Sequence, residues 1–297
     1  MSKKLLSSIL IIVFLFNAIF VNCETVYADD SDIQQLTQLT DPVYVDGVES
    51  DIDIDFSTGN IIVTGKTEVS EGTLVLEPDG EAAIEIENNN LEDESYTLDI
   101  DELSVDNVDV EIYDDGELVA NYDEYDEIIE DAYEGQTAIQ VGVYVGATLL
   151  LYIVTSYVIV KSGITYCMAK HFTKAIEKAK AAVKEKARSY YYPTLITKVK
   201  GKNMVYIDPY GVNLNRAAAI VKANGNIYSY TASMAKKAIN KAGYAAVNTK
   251  GVKNSYDLHT ASGYQFKHYH RGKTASSGVL KKNGSCHSLF GACKYYK

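Results

Sequence analysis

The stretch FKHYHRGK, residues 266–273, sets His268 and His270 two residues apart among Lys267, Arg271 and Lys273, in a chain with 5 histidines in all. His259 precedes the pair and His287 follows it. On a strand, residues two apart project to the same face with Cα atoms about 7 Å from each other. Two chemistries follow. Imidazole is a ligand for divalent metals such as zinc, and it is the side chain best suited to acid–base catalysis near neutral pH. The cationic neighbours Lys267, Arg271 and Lys273 suit an anionic substrate such as a phosphodiester.

For a zinc site, Cys286 and His287 are the residues that can complete a four-ligand set. The spacing matches no strong zinc signature, however, and Cys286 competes as a disulfide partner of Cys293 across CHSLFGAC. Two-metal nucleases need several carboxylates, and beyond residue 190 the only acids are Asp208 and Asp257. The expectation is therefore acid–base chemistry by His268 and His270, with His287 and His259 in support, Lys267, Arg271 and Lys273 holding the substrate, and no cofactor. A single zinc at the histidine cluster is the alternative.

The elements that must position these residues fall into contrasting parts. Residues 29–135 carry 35 acidic side chains against one basic residue, Lys66, whereas residues 161–297 carry 25 lysines and arginines against four acids. Such asymmetry implies parts with different partners, or with each other as partners. The basic part suits nucleic acid or another polyanion, and the acidic domain is expected to mask it within the same chain. Residues 1–28, two lysines followed by the apolar run Leu5–Val21 and then Val26-Tyr27-Ala28, have the layout of a secretory signal peptide. That layout predicts a secreted or cell-surface protein.

Residues 42–122 show strict period-two alternation, as in DIDIDF and AAIEIE, with Pro-Asp-Gly and Asp-Asp-Gly turns. They predict an acidic antiparallel sandwich-like domain over 29–135, one face apolar and the other carboxylate. Ala138 to Val160 is 23 residues without a charge, long enough for a membrane span. With the Lys-rich helix expected over Thr165–Tyr192 and stopped by Pro193, it forms a hydrophobic and helical middle, 136–192. Residues 193–297 predict a small basic α+β domain. It has a hairpin turning at Gly201-Lys202-Asn203, a helix closed by Gly225, and a second helix capped by Thr231 with Gly243 beyond its end. The fold class expected for the whole chain is α+β.

The ending of the chain, His268-Tyr269-His270, Asn283-Gly284, His287 and Phe290-Gly291, with the upstream stretch NGNIYSYTASMAKKAINKAG, resembles the secreted toxins of Gram-positive bacteria. It is also similar to the C-terminal effector domains of bacterial polymorphic toxins. The resemblance spans residues 193–297 and the export signal. It departs at Arg271, where proline is more usual, and at Ser285-Cys286, which separate the glycine from the histidine. It implies an exported toxin with a C-terminal effector domain and an immunity protein as partner. Joined to the histidines and the basic charge, it points to a phosphodiesterase or nuclease reaction. Two rival readings come from the residues: a membrane-active toxin inserting 138–160, and a non-enzymatic polyanion-binding surface protein.

Overall fold

The computed structural model describes residues 48–89, 92–104, 107–124, 128, 146–199, 201–258 and 263–296. The leader, His259 and the first part of the apolar run, 138–145, lie outside the described residues. The chain divides into two compact units, one made of Met1–Asp53 and Asn60–Thr165, the other of Ile54–Gly59 and Tyr166–Lys297. The division thus falls inside the segment expected to be a separate middle.

In the first unit, the alternating sequence forms an antiparallel meander: β1 (Glu49–Ile54), β2 (Ile61–Lys66), β3 (Ser70–Leu76), β4 (Glu81–Asn88), β5 (Glu94–Leu103), β6 (Val108–Asp114) and β7 (Glu117–Tyr122). Hydrogen bonding runs continuously from strand to strand rather than through two stacked sheets. Ile61, Val63, Leu74, Leu76, Ile84, Ile86, Leu98, Ile100, Val110 and Ile112 are buried. Their period of two puts them all on one face. On the other face the register sets Glu81 opposite Asp99, Asp99 opposite Glu111, and Glu111 opposite Asn121. Like charges directly across a ladder repel, so the acidic row costs this unit stability.

The described part of the apolar run, 146–160, is not one continuous helix. Within it α1 (Ala147–Val154) is helical, and after a turn the chain continues as β8 (Val158–Lys161). Strand β8 pairs with β5 at Leu103↔Val160, beyond a bulge in β5. Leu149, Leu150, Ile153, Val154, Val158 and Val160 are buried, and α1 packs against β2 and β3. Among the described residues no helix is long and apolar enough to cross a membrane. The hydrophobicity of residues 146–160 is used within the unit, and the β-branched residues of TSYVIV favour a strand over helix continuation.

The lysine-rich helix is also corrected. Thr165–Met168 is strand β9, followed by α2 (Ala169–Lys178) and α3 (Ala181–Ser189). The break is at Ala179 and Lys180, whose backbone is extended. Glu177, just before it, accepts from Lys184 and Arg188 of α3 and from the Tyr230 hydroxyl. These bonds fold α3 back on α2, and they hold the Glu177 carboxyl at about 2. Pro193, expected to stop the helix, lies inside the next strand.

In the second unit, β10 (Tyr191–Val199) pairs antiparallel with both β11 (Lys202–Ile207) and β12 (Asn226–Ser229). Strand β12 runs parallel to β17 (Ser288–Tyr296), which is antiparallel to the long β15 (Gly263–Thr274). Gly263 of β15 bridges to Asn203 of β11, so the circuit β11–β10–β12–β17–β15 closes on β11. That closure requires glycine: Gly263 has φ +109°, and a Cβ there would lie 2.2 Å from the Asn203 carbonyl oxygen. Shorter strands β13 (Ala245–Val247) and β14 (Asp257–Leu258) line the other edge of β15, whereas β16 (Leu280–Lys282) pairs with the end of β15 on the edge opposite β13. One face of this sheet is covered by α4 (Leu214–Lys222) and α5 (Ala232–Lys241), with Ala217, Val221, Ile227, Ala235, Ile239, Tyr269 and Phe290 in the core between. The other face carries an aromatic cluster. Phe172 meets Tyr192 at 4.8 Å and Tyr228 at 6.0 Å between ring centroids, and Tyr228 meets Phe266 at 5.3 Å.

Among the described residues strands make up 48% and helices 22%, in seventeen strands and five helices. The chain is therefore mostly β, which corrects the α+β class and the helical middle. The helices that do form are short, and sheet pairing claims the apolar residues between them.

Replacing the middle carboxylate of the acidic row, Asp99→Thr, is expected to stabilise the protein by about 0.5–1 kcal/mol at low salt and by less at high salt. Urea unfolding at both salt levels checks this, and a destabilised variant at low salt would refute it. A second prediction concerns Asp208, at the end of β11, whose burial raises its carboxyl to about 7 against one opposing bond from the Tyr210 backbone N–H. The folded state then holds a proton that the unfolded chain has released above its ordinary value of 3.8. Stability from this group is complete below that value and is lost as pH rises through about 7. The loss, on the order of a few kcal/mol, should disappear from the pH dependence of the urea midpoint in Asp208→Asn.

Candidate metal centre

Strand β15 delivers His268 and His270 to the same face as Phe266, as period two requires. Both rings are buried, at 2% and 0% exposure. His287 arrives from the turn that enters β17, one residue before the registered pair Tyr269↔Ser288. The three rings pack together, His268 edge to face with His270 and His287 and the last two tilted, with centroids 4.9 Å (His268–His270), 4.8 Å (His268–His287) and 4.7 Å (His270–His287) apart. Each offers a nitrogen within 4.8 Å of those of the other two, an arrangement able to hold a metal ion.

Their hydrogen bonds set the tautomers. His268 Nδ1 lies 3.0 Å from the carbonyl oxygen of Phe266, and His270 Nδ1 lies 3.1 Å from that of Cys286. A carbonyl only accepts, so each Nδ1 carries a proton. His287 Nδ1 lies 3.2 Å from Asn226 Oδ1, which also accepts the His287 backbone N–H at 2.8 Å. The backbone donor identifies that atom as the amide oxygen, so this Nδ1 is a donor as well. In the neutral rings all three lone pairs are then on Nε2. Ligand histidines in metal sites are oriented in this way, by a hydrogen bond from the non-ligating nitrogen.

The turn carrying His287 is held from outside its own sequence. Asn224, at φ +71° just past α4, accepts the backbone N–H groups of Ser285 and Cys286 at 3.1 Å each, and its amide donates to the Ser285 hydroxyl. Arg271 donates from Nε to the Asn283 carbonyl at 2.7 Å, and from Nη1 to the last carbonyls of α4, Val221 at 3.0 Å and Lys222 at 2.9 Å. Gly284, at φ +80°, fits between these two: a Cβ would lie 2.3 Å from Asn224 Oδ1 and 2.5 Å from Arg271 Nη2. The Asn283-Gly284 motif is thus a tight turn under the guanidinium.

The other expected site residues are distributed differently. Arg271 is engaged with three carbonyls and lies over the Tyr244 ring. Lys267 and Lys273 are exposed on the strand face opposite His268 and His270, and Lys267 lies over Tyr256. His259 is outside the described residues. The geometry brings together His268, His270 and His287 and leaves the three cations off their face. Cys286 belongs to the core on the helix side, and burial pushes its thiol up to about 12. Cys167, Cys286 and Cys293 are all free thiols. Cys293 lies well along the extended β17, too far for a bond to Cys286.

One group was not singled out by sequence. Asp257, on β14, is registered directly opposite His268, and its Oδ2 lies 3.3 Å from His270 Nε2. The Thr249 backbone N–H and hydroxyl hold this carboxylate at 2.6 and 3.0 Å. Its rarity as one of two acids in the basic part was the only signal the sequence offered. No protein family, curated protein or solved structure matches this chain.

The guanidinium fork of Arg271 has no counterpart in lysine. Arg271→Lys is therefore expected to destabilise the protein by about 1–3 kcal/mol, read as a lower urea midpoint. An unchanged midpoint would show that the turn is held without it.

Proposed function

We propose that this protein is an exported toxin whose basic C-terminal unit acts on a phosphate-bearing, nucleic-acid-like substrate at the His268–His270–His287 cluster, with zinc bound by the three histidines. The observation that carries the metal part of this reading is the cluster itself: three imidazoles with ligand nitrogens within 4.8 Å of one another, each Nδ1 facing an oxygen acceptor. Three Nε2 lone pairs brought together in a buried place favour a cation among them. Zinc fits the donor set, because it takes neutral imidazole nitrogens in tetrahedral sites. When bound in such a site it lowers the pKa of a water ligand to about 7 and polarises a phosphoryl oxygen.

The protein's own part is to fix the ligands and keep the surroundings basic. His268 and His270, buried and bonded at Nδ1 to main-chain oxygens, suit a fixed ligand role better than shuttling protons to solvent. His287, only half-buried, is the ring with solvent access for a proton-transfer role. The lysine excess of this part attracts a polyanion over a long range, although Lys267 and Lys273 do not share the histidine face.

The test is inducible expression of the full chain in bacterial cytoplasm, beside His270→Ala and His287→Ala. The wild type is expected to arrest growth with loss of RNA or DNA integrity, and to purify with stoichiometric zinc. Both variants are expected to permit growth and to lose the metal. Toxicity that persists in both, with nucleic acids intact, would exclude this cluster as the reactive centre.

A further inference from the structure

Asp257 Oδ2 and His270 Nε2 are 3.3 Å apart. With the His270 proton on Nδ1, where it faces the Cys286 carbonyl, both atoms are acceptors. Two acceptors at this distance repel unless a cation lies between them: a second proton on the ring, or a metal. The 3.3 Å distance suits an ion pair with the doubly protonated ring, and it equally suits two ligands of one metal. Ligands about 2.0–2.1 Å from a tetrahedral zinc are separated by roughly 3.3–3.4 Å. The fold fits the metal assignment. Asp257 and His268 are a directly registered cross-strand pair, so their side chains share a face, and His270 is the diagonal neighbour within reach on that face.

We infer that Asp257 is the fourth ligand of the centre, so that β14, β15 and the entry to β17 together supply one carboxylate and three imidazoles. This rests on the metal reading of the histidine cluster. Thr249 is the positioning residue: its backbone N–H and hydroxyl occupy lone pairs on both carboxylate oxygens and aim Oδ2 at His270. The Asp257 side chain is 16% exposed whereas that of His270 is fully buried. The carboxylate is therefore more open to solvent than His270, and it is the ligand that an incoming phosphate oxygen would displace. The histidines stay in place because the turn behind them is pinned.

The experiment is metal binding to the full-length protein, using zinc competition against a chromogenic chelator and cobalt(II) as a spectroscopic probe. Wild type is compared with Asp257→Asn, which keeps the shape of the side chain, and with Thr249→Ala. Wild type is expected to show the intense visible bands of tetrahedral cobalt. Asp257→Asn is expected to bind zinc at least about 10–100-fold more weakly and to shift those bands, and Thr249→Ala to lose about 10–100-fold in affinity with the bands retained. Unchanged affinity and spectrum in Asp257→Asn would overturn the assignment of Asp257 while leaving the three-histidine site standing. Absence of zinc and cobalt binding in wild type would overturn the histidine reading, and this inference with it.

Discussion

The parallel pairing of β12 with β17 is the constraint on which the rest of the C-terminal unit depends. Two strands distant in sequence must be brought side by side, and the turn feeding the second one has backbone groups that its own residues do not satisfy. Asn224 and Asn226, flanking the start of β12, take the N–H groups of Ser285, Cys286 and His287, and Ile227 donates to the His287 carbonyl. Each such bond contributes only about 0.5–1.5 kcal/mol net, but a buried group left without one costs about 1–3 kcal/mol. The turn therefore has one low-energy placement, and that placement puts His287 against His268 and His270.

The site is layered on two kinds of support. On the helix side, Tyr269 stacks on Phe290 at 5.1 Å above the alanine-rich faces of α4 and α5. On the other side, the row Tyr192–Tyr228–Leu289–His268 runs across four registered strands. The histidines thus end an aromatic wall. A rigid wall suits ligands that must be held to fractions of an ångström. Arg271, which by type looks like a substrate clamp, spends its donors on the helix end and on the turn. Its role is to fix the frame around the imidazoles.

The acidic unit follows a different logic. Its buried face is a regular apolar stripe completed by α1 and β8, whereas its exposed face places carboxylates opposite one another across the ladder. Such repulsion is tolerable because solvent and salt screen exposed charges and because the apolar face supplies the folding free energy. The uncharged run that would fit a bilayer is partly consumed in that same face.

Much of the local structure was legible in the residues themselves. Period-two alternation determined the strands of the acidic unit and which face each side chain takes. The same rule placed His268 and His270 together on one face. Thr231 caps α5 by accepting the Met234 N–H, Gly243 follows that helix at positive φ, and the hairpin turns at Gly201, also at positive φ, each as local stereochemistry requires. What tertiary structure alone decided was everything that depends on partners far along the chain. The helical propensity of Thr165–Tyr192 yielded to strand pairing of β9 with β11 and to the Glu177 clamp. The length and hydrophobicity of 138–160 could not say whether lipid or a sheet would cover its residues 146–160. The joining of His287 and Asp257 to the histidine pair required a parallel strand and a short edge strand, whose register no local pattern encodes. Side-chain type and spacing determine the face on which a group projects, and long-range pairing determines what it meets there.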